Sequence, residues 1–391
     1  MLDKSILEQI LNDWNYWDKE PPFSIPREIL SREISLTPDI ISVIQGVRRC
    51  GKSTLLAQLM KYKKLNSREC MFVNFEDPRL TQNLNIQLLD QIVSFSKERF
   101  PNQSTYYFFL DEVQNVSQWE KWLNTKVERP KNEIYIITGS NASLLSGELA
   151  TTLTGRHLTL ELFPFDFSEF QKLKKEESFE DYLQKGGFPR TLRFEKPQEL
   201  LREYFSDIIE KDVRRHISVR SSLTLTQLMK AVYESSGSEV SLRTLAKMVD
   251  VTPDTIKTYL DAACVAYMLL PCPYFTFSEK QRSARNKKYY PIDLGLRKSI
   301  ISQAGQDFGK DLETVVFYHL RKKYRNVFYW RDTGEVDFVI QDKESIVPYQ
   351  VSWDEPKERH FEALKEFKEH FPHSKAPIMI SRKNVIEFLK T

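Results

Sequence analysis

Cysteine is scarce in this 391-residue chain, and its four positions, Cys50, Cys70, Cys264 and Cys272, never fall into C-x-x-C spacing. That excludes the usual sequence patterns of a zinc site or a disulfide framework and fits a reducing compartment. Long apolar runs are missing too. No window approaches eighteen uninterrupted apolar residues, and Met1-Leu2-Asp3-Lys4 does not open a basic segment followed by an apolar core. No membrane partner is expected, and the location expected is cytoplasmic. Charge imbalance is absent as well: the net charge is +3, so any nucleic-acid surface has to be a local basic patch. Repeats at solenoid spacing and low-complexity tracts are lacking. What remains, at 41% hydrophobic and 28% charged residues, is a soluble globular composition too long for one core.

The chain divides by pattern. Residues 1–30 read as an N-terminal helical arm, with apolar positions Ile6, Ile10, Leu11 and Trp14 ahead of a bend at Glu20-Pro21-Pro22. Residues 31–165 alternate apolar strands with amphipathic helices, as in a parallel α/β sheet. Five strands are expected, at Ile41–Gly46, Met71–Phe75, Tyr106–Leu110, Ile134–Ile137 and His157–Leu162. Tyr106-Tyr107-Phe108-Phe109-Leu110 is apolar without alternation, which suits a strand covered on both faces. Residues 166–221 read as a helical lid broken at Gly186-Gly187-Phe188-Pro189. Residues 222–292 read as three helices and a hairpin, and 293–391 as a small α+β domain.

The first strand runs into Gly46-Val47-Arg48-Arg49-Cys50-Gly51-Lys52-Ser53 and then into the helix-like Thr54-Leu55-Leu56. This is the strand–loop–helix context of a Walker A phosphate loop. Its glycines and the helix start aim backbone N–H groups at phosphates. Lys52 is placed to reach the β- and γ-phosphates of ATP, and Ser53 to bind Mg²⁺. The third strand closes on Asp111-Glu112, a carboxylate for the metal followed by one that can polarise water. The fourth ends in Thr138-Gly139-Ser140-Asn141, where Ser140 or Asn141 could orient that water. Thr154-Gly155-Arg156 offers an arginine ahead of the last strand, either for a subunit boundary or as a plain surface residue.

An additional strand between the Walker A and Walker B strands, a glutamate after the Walker B aspartate and a polar strand end resemble the AAA+ ATPases. The chain is further similar to prokaryotic AAA+ proteins that carry a C-terminal domain of unknown function. The resemblance rests on Gly46–Thr54, Asn74-Phe75-Glu76-Asp77, Leu110–Gln114, Thr138-Gly139-Ser140, Thr154-Gly155-Arg156 and Gly186–Pro189. It implies an oligomer, a homo-hexameric ring, with Arg156 acting on a neighbour's γ-phosphate. It implies contacts from Gly46, Arg48, Arg49, Cys50, Gly51, Lys52, Ser53 and Thr54 to the nucleotide, and Gly187 and Pro189 at its base. Arg190 is a candidate second sensor.

Beyond the lid, Ser241–Val249 and the Thr252-Pro253-Asp254 start signal read as two helices on a tight turn, a helix-turn-helix. A hairpin from Pro273–Phe277 to Tyr289–Ile292 would add a wing whose tip carries Lys280, Arg282, Arg285, Lys287 and Lys288. With Thr255, Lys257 and Thr258 facing out of the second helix, the expectation is phosphate-backbone contact with DNA rather than base reading. Branched and single-stranded DNA are the candidate forms; a protein-docking module in a signalling or defence switch is the other meaning. Residues 310–391 resemble PD-(D/E)XK nuclease-like domains through Glu313, Gly334–Ile340 and Tyr349–Ser352. Where an active member carries an acid and a lysine, this chain has Gln350 and Ser352, so a binding relic is expected rather than an ATP-powered nuclease.

Overall fold

The structure, a computed structural model, describes residues 2–31, 34–140, 155–217, 222–302, 307–343 and 345–391. It divides into two compact units, Met1–Phe163 and Pro164–Thr391.

The first unit opens with helix α1 (Lys4–Trp14), capped by the Asp3 carboxylate. Leu7, Ile10 and Leu11 form its buried stripe, while Ile6 and Trp14 are 43% and 36% exposed, so the apolar face is narrower than the sequence reading had it. The parallel sheet follows: β1 (Ile41–Gln45), α2 (Lys52–Tyr62), β2 (Cys70–Asn74), α3 (Ile86–Arg99), β3 (Tyr106–Asp111), α4 (Trp119–Glu128), β4 (Glu133–Gly139) and β5 (His157–Glu161). Its order is β2-β3-β4-β1-β5, and every pairing is parallel. The five expected strands are all there, displaced by a residue or two at their ends. β1 and β4 are buried along their whole length, as a run apolar on both faces demands. Because β4 sits between β1 and β3, the carboxyl ends of these three strands lie side by side.

After α1 the chain seals the β2 edge. The Asn15 side-chain amide donates to Phe72 O at 3.0 Å and accepts from Phe72 N–H at 2.7 Å, taking the place of a neighbouring strand. Trp17 Nε1 donates to Cys70 O at 3.1 Å. An open edge would otherwise offer these groups to another chain.

The second unit begins with α5 (Phe167–Leu173), α6 (Phe179–Lys185) and α7 (Pro197–Ile208). It continues with α8 (Ser222–Glu234), β6 (Glu239–Val240), α9 (Leu242–Met248), α10 (Pro253–Val265), β7 (Leu269–Cys272), α11 (Glu279–Ala284), β8 (Lys287–Pro291), α12 (Leu294–Ile300) and α13 (Phe308–Lys323). A four-stranded mixed sheet closes it: β9 (Phe328–Arg331), β10 (Glu335–Asp342), β11 (Ser345–Ser352), α14 (Glu358–His370), β12 (Ile378–Ser381) and α15 (Val385–Phe388), with order β12-β11-β10-β9. Ser241 and Thr252 cap α9 and α10 as their sequence signals require, and Asp250 takes a left-handed φ of 52° in the turn between them.

The hairpin differs from expectation. Its strands are β7 and β8, in a three-stranded sheet of order β6-β8-β7. Pro273–Phe277 leaves that sheet and joins the edge of β9, where Phe275 N–H donates to Tyr329 O at 2.7 Å and Tyr329 N–H to Pro273 O at 3.0 Å. Phe275 is fully buried there against Phe328, Phe367 and Phe371, and that burial outcompetes a longer ribbon. The expected loop tip is instead the short helix α11, capped by Ser278. Among the described residues no helix is long and apolar enough to cross a membrane.

Candidate nucleotide-binding site

The phosphate loop is shaped by two different glycine requirements. Gly51 adopts φ 102° immediately before α2, a region that side chains rarely enter. Gly46 has no such angle, but a Cβ there would lie 2.1 Å from Leu162 O and 3.2 Å from Cys50 Sγ. The first N–H groups of α2 have no intrahelical acceptor, and the helix start carries partial positive charge. A loop of this form suits a phosphate chain.

Four side chains predicted from sequence meet at the strand ends. Lys52, 4% exposed, places Nζ 3.3 Å from Glu112 Oε1 and donates to Gly46 O at 3.1 Å. Ser53 Oγ donates to Asp111 Oδ2 at 2.6 Å. Asp111 is the most constrained carboxylate: Asn74 Nδ2 also donates to Oδ2, at 3.2 Å, and Thr138 Oγ1 donates to Oδ1. Burial raises its pKa to about 6, against the opposing pull of Ser53, Thr138 and Lys52. Burial pushes Glu112 the same way, yet the Lys52 ammonium and the Gln114 amide outweigh it and hold the carboxyl below its ordinary value. For Lys52, burial favours the neutral amine, but Glu112 and Asp111 keep it charged. Lys52 and Glu112 are thus a buried ion pair beside an aspartate that a cation would stabilise.

Glu112 sits in the left-handed region, φ 54°, which turns its side chain back towards the loop. Its Oε2 accepts from Gln114 Nε2 at 2.5 Å and from Ser140 N–H at 3.2 Å, and its own N–H donates to Thr138 Oγ1 at 3.0 Å. Ser140 therefore reaches Glu112 through its backbone. Asn141 and Thr154 lie outside the described residues. Thr138 and Gln114, which the sequence reading carried only as parts of motifs, are the residues that fix both carboxylates.

The remaining expected contacts are distributed as follows. Arg48 pairs with Glu76 at 2.7 Å, Arg49 is exposed with φ 70°, Cys50 is buried, and Thr54 is exposed. A residue that sequence reasoning missed, Arg27, is 6% exposed and donates to Cys50 O at 2.9 Å and to Phe163 O at 2.6 Å. It braces the loop from behind. Nothing in its local sequence marks it, since its acceptors are backbone carbonyls. Arg156 Nη1 donates to Asn124 Oδ1 at 2.6 Å and Glu128 Oε1 at 2.8 Å, on the α4 helix of its own chain.

In the second unit, Gly187 is committed to packing. Its N–H donates to Asp293 Oδ2 at 2.6 Å, its carbonyl accepts from Phe165 N–H at 2.7 Å, and a Cβ would meet Phe165 O at 2.0 Å. Pro189 is half-buried and Arg190 exposed.

The basic ribbon needs one clear correction. Lys288 is not a surface residue: it is 0% exposed, with Nζ 2.5 Å from Glu335 Oε1 and 3.6 Å from Glu313 Oε1. It lies within β8, whose inner face meets the acidic mixed sheet, so DNA phosphate cannot reach it. Arg282 is partly spent, pairing with Glu279, donating to Thr276 O and lying 4.8 Å over the Phe328 ring. Lys257, Lys280 and Arg285 are exposed and Lys287 half-exposed. In the mixed sheet, Gln350 Nε2 donates to Asp337 Oδ2 at 2.7 Å. The glutamine engages the aspartate as a donor where an acid would have repelled it.

Residues 39–171 match the AAA domain family, and the remainder matches two families described as domains of unknown function, DUF8612 over 176–307 and DUF4143 over 308–389. An uncharacterized protein of Haemophilus influenzae is 30% identical over 342 residues, covering 82% of this chain and 84% of its own length. The uncharacterized protein MJ1544 of Methanocaldococcus jannaschii is 31% identical over 398 residues, covering 94% and 86%. Among solved structures, the Aeropyrum pernix Orc1 protein in complex with DNA gives a TM-score of 0.30 at 11% identity, over 67% of this chain and 86% of that one. The replication initiator DnaA bound to AMPPCP and single-stranded DNA gives 0.31 at 19%, over 60% and 85%. Scores this low carry no argument about what this chain does. The identities over nearly full length do place it: the chain belongs to the family of these Haemophilus and Methanocaldococcus proteins, an AAA domain followed by two domains of unknown function.

Proposed function

We propose that the protein binds ATP with Mg²⁺, hydrolyses it as a homo-hexameric ring and couples that cycle to DNA without reading its sequence. The observation that carries the ATPase reading is the joined set of Lys52 and Ser53 from the first turn of α2 with Asp111 and Glu112 from the carboxyl end of β3. Ser53 and Asp111 are the residues that would hold Mg²⁺, which neutralises phosphate charge when bound. Lys52 leaves Glu112 for the phosphates, and the freed Glu112 carboxylate, still steered by Gln114 and Ser140, accepts hydrogen bonding from the attacking water. Arg156 serves a neighbour's site only after leaving Asn124 and Glu128.

For DNA, the proposed surface is a winged helix made of α9, α10 and the β7–β8 ribbon, with Lys257, Lys280, Arg285 and Lys287 meeting phosphates. A protein partner is the second reading, favoured by Met248 on α9, 52% exposed, and Phe277 in the segment that follows β7, 67% exposed. No phosphodiester cleavage is assigned to the mixed sheet, because Gln350 and Ser352 bring no charge to it. Changing Glu112 to Gln should preserve ATP binding and lower turnover by about 10²–10⁴-fold. Parental turnover in that variant would remove the catalytic assignment, and hydrolysis indifferent to any added DNA would favour the protein partner.

A further inference from the structure

The second unit holds a cavity of about 820 Å³ that neither the ATP site nor the basic ribbon accounts for. Its floor is acidic. Glu313 of α13 and Glu335 and Asp337 of β10 line it, beside Gln350 of β11, which is 3% exposed. One cation, Lys288, already sits among the three carboxylates, bridging the two glutamates. Tyr290 Oη adds a hydrogen bond to Glu313 Oε1 at 2.6 Å. The balance is still short of donors. Gln350 Nε2 and Val351 N–H, each at 2.7 Å, both go to the same Asp337 oxygen, Oδ2. Gln350 Oε1 is buried with no hydrogen-bond partner. A buried acceptor left unmet bears its full desolvation cost, so this floor asks for a donor from outside the chain.

Cationic side chains line the same cavity, together with two further acids, Asp307 and Asp354. The first turns of α13 and α14 both line it, and with them Lys310, Lys357 and Arg359. Asp307 already caps α13, accepting the Lys310 N–H at 3.2 Å, so the three cationic side chains and the start of α14 are what favour an anion there. The lining beside Glu313 is specified closely: Gly237 has φ 74°, and a Cβ on it would lie 3.0 Å from Glu313 Oε1. A cavity of this volume suits a small organic ligand.

We propose that this cavity binds a small zwitterion, with its ammonium or guanidinium group on the Glu313–Asp337–Gln350 floor and its carboxylate or phosphate at the Lys310–Lys357 rim. An organic cation fits the floor better than a divalent metal. Among the described residues no three or more His, Cys, Asp or Glu are grouped to hold a metal ion. Lys288 also occupies the side of the cluster where the two glutamates converge. A hydrogen-bonding cation needs only the unmet Gln350 Oε1 beside the carboxylates.

The test is isothermal titration of the full chain with L-arginine, L-lysine, agmatine (the guanidinium of arginine without its carboxylate) and MnCl₂. Saturable one-to-one binding of arginine or lysine is expected, with agmatine at least about 10-fold weaker than arginine. Replacing the rim residues Lys310 and Lys357 by Ala should bring arginine down to agmatine's affinity and leave agmatine unchanged. Gln350→Leu should weaken all three organic probes. The proposal is overturned if no organic probe saturates, if the rim variant weakens agmatine as much as arginine, or if Mn²⁺ binds one-to-one and Asp337→Asn abolishes that binding.

Discussion

Replacing Lys288 by Met separates a buried structural cation from a DNA contact, and the structure sets the size of the effect. The side chain is 0% exposed, and its ammonium faces Glu335, Glu313 and, more distantly, Asp337. Burial alone would favour the neutral amine, but these carboxylates hold the Lys288 pKa well above its ordinary value. Methionine keeps the volume and removes the charge, leaving the acids facing one another. Removing one partner of a buried charge cluster costs about 3–5 kcal/mol. Glu335 keeps 32% of its side chain in solvent, which screens its share and puts the expected loss near the lower end, about 3 kcal/mol. In a unit of this size class that lowers the melting midpoint by about 6–12 °C. Differential scanning fluorimetry of variant and parent measures it. The gap should narrow as pH falls: burial already raises Glu313 and Asp337, so protonation removes the charges that Lys288 had balanced. DNA affinity of the folded variant at low temperature should match the parent. An unmoved midpoint with weakened DNA binding would refute the burial argument and return Lys288 to the surface.

The other predictions address the remaining assignments. Because Asp111 has its pKa raised to about 6, a site that uses its ionised form should bind Mg·ATP tightly above that pH. Affinity should then fall as pH drops through about 6, and an Asp111→Asn protein that retains the same pH profile would contradict the assignment. Joint Lys257→Ala, Lys280→Ala and Arg285→Ala substitution should weaken binding to four-way junction, single strand and duplex, and lower the log–log salt slope by about 2–3. Equal and feeble binding of the parent to all three at low salt would instead promote the protein partner. Arg156→Ala subunits mixed with Glu112→Gln subunits should regain hydrolysis, since a mixed interface joins both intact groups and arginine fingers are worth about 10³–10⁵ in rate. No recovery in assemblies shown to mix would place Arg156 in its bond to Glu128 alone.

The phosphate loop and its sheet were legible because both depend on short-range patterns. Ile41–Gln45 and Tyr106–Asp111 are apolar runs that only a doubly covered strand explains, and the loop's chemistry sits within eight consecutive residues. Thr138 and Gln114 were visible as letters and not as roles, since their hydrogen bonds depend on β4 lying beside β3 and on the left-handed turn at Glu112. Arg27 was invisible: an arginine that answers two backbone carbonyls leaves no complementary residue to read.

The ribbon shows where local reading fails in principle. Lys280, Arg282, Arg285, Lys287 and Lys288 form one basic cluster by composition, and loop-like composition suggests a solvated tip. Strand alternation divides the last two, because successive side chains leave opposite faces of β8. Lys287 keeps part of its surface in water while Lys288 turns inward, where Glu313 lies 25 positions and Glu335 47 positions further along the chain. Only the pairing of acids from α13 and β10 makes that burial tolerable, and neither acid announces the other. The same long-range closure that removes Lys288 from a DNA surface creates the acidic floor with its unmet glutamine acceptor. A cation drawn from the ribbon has thus become the counter-charge of two glutamates that line the cavity, and the remaining donor deficit is what a ligand would supply.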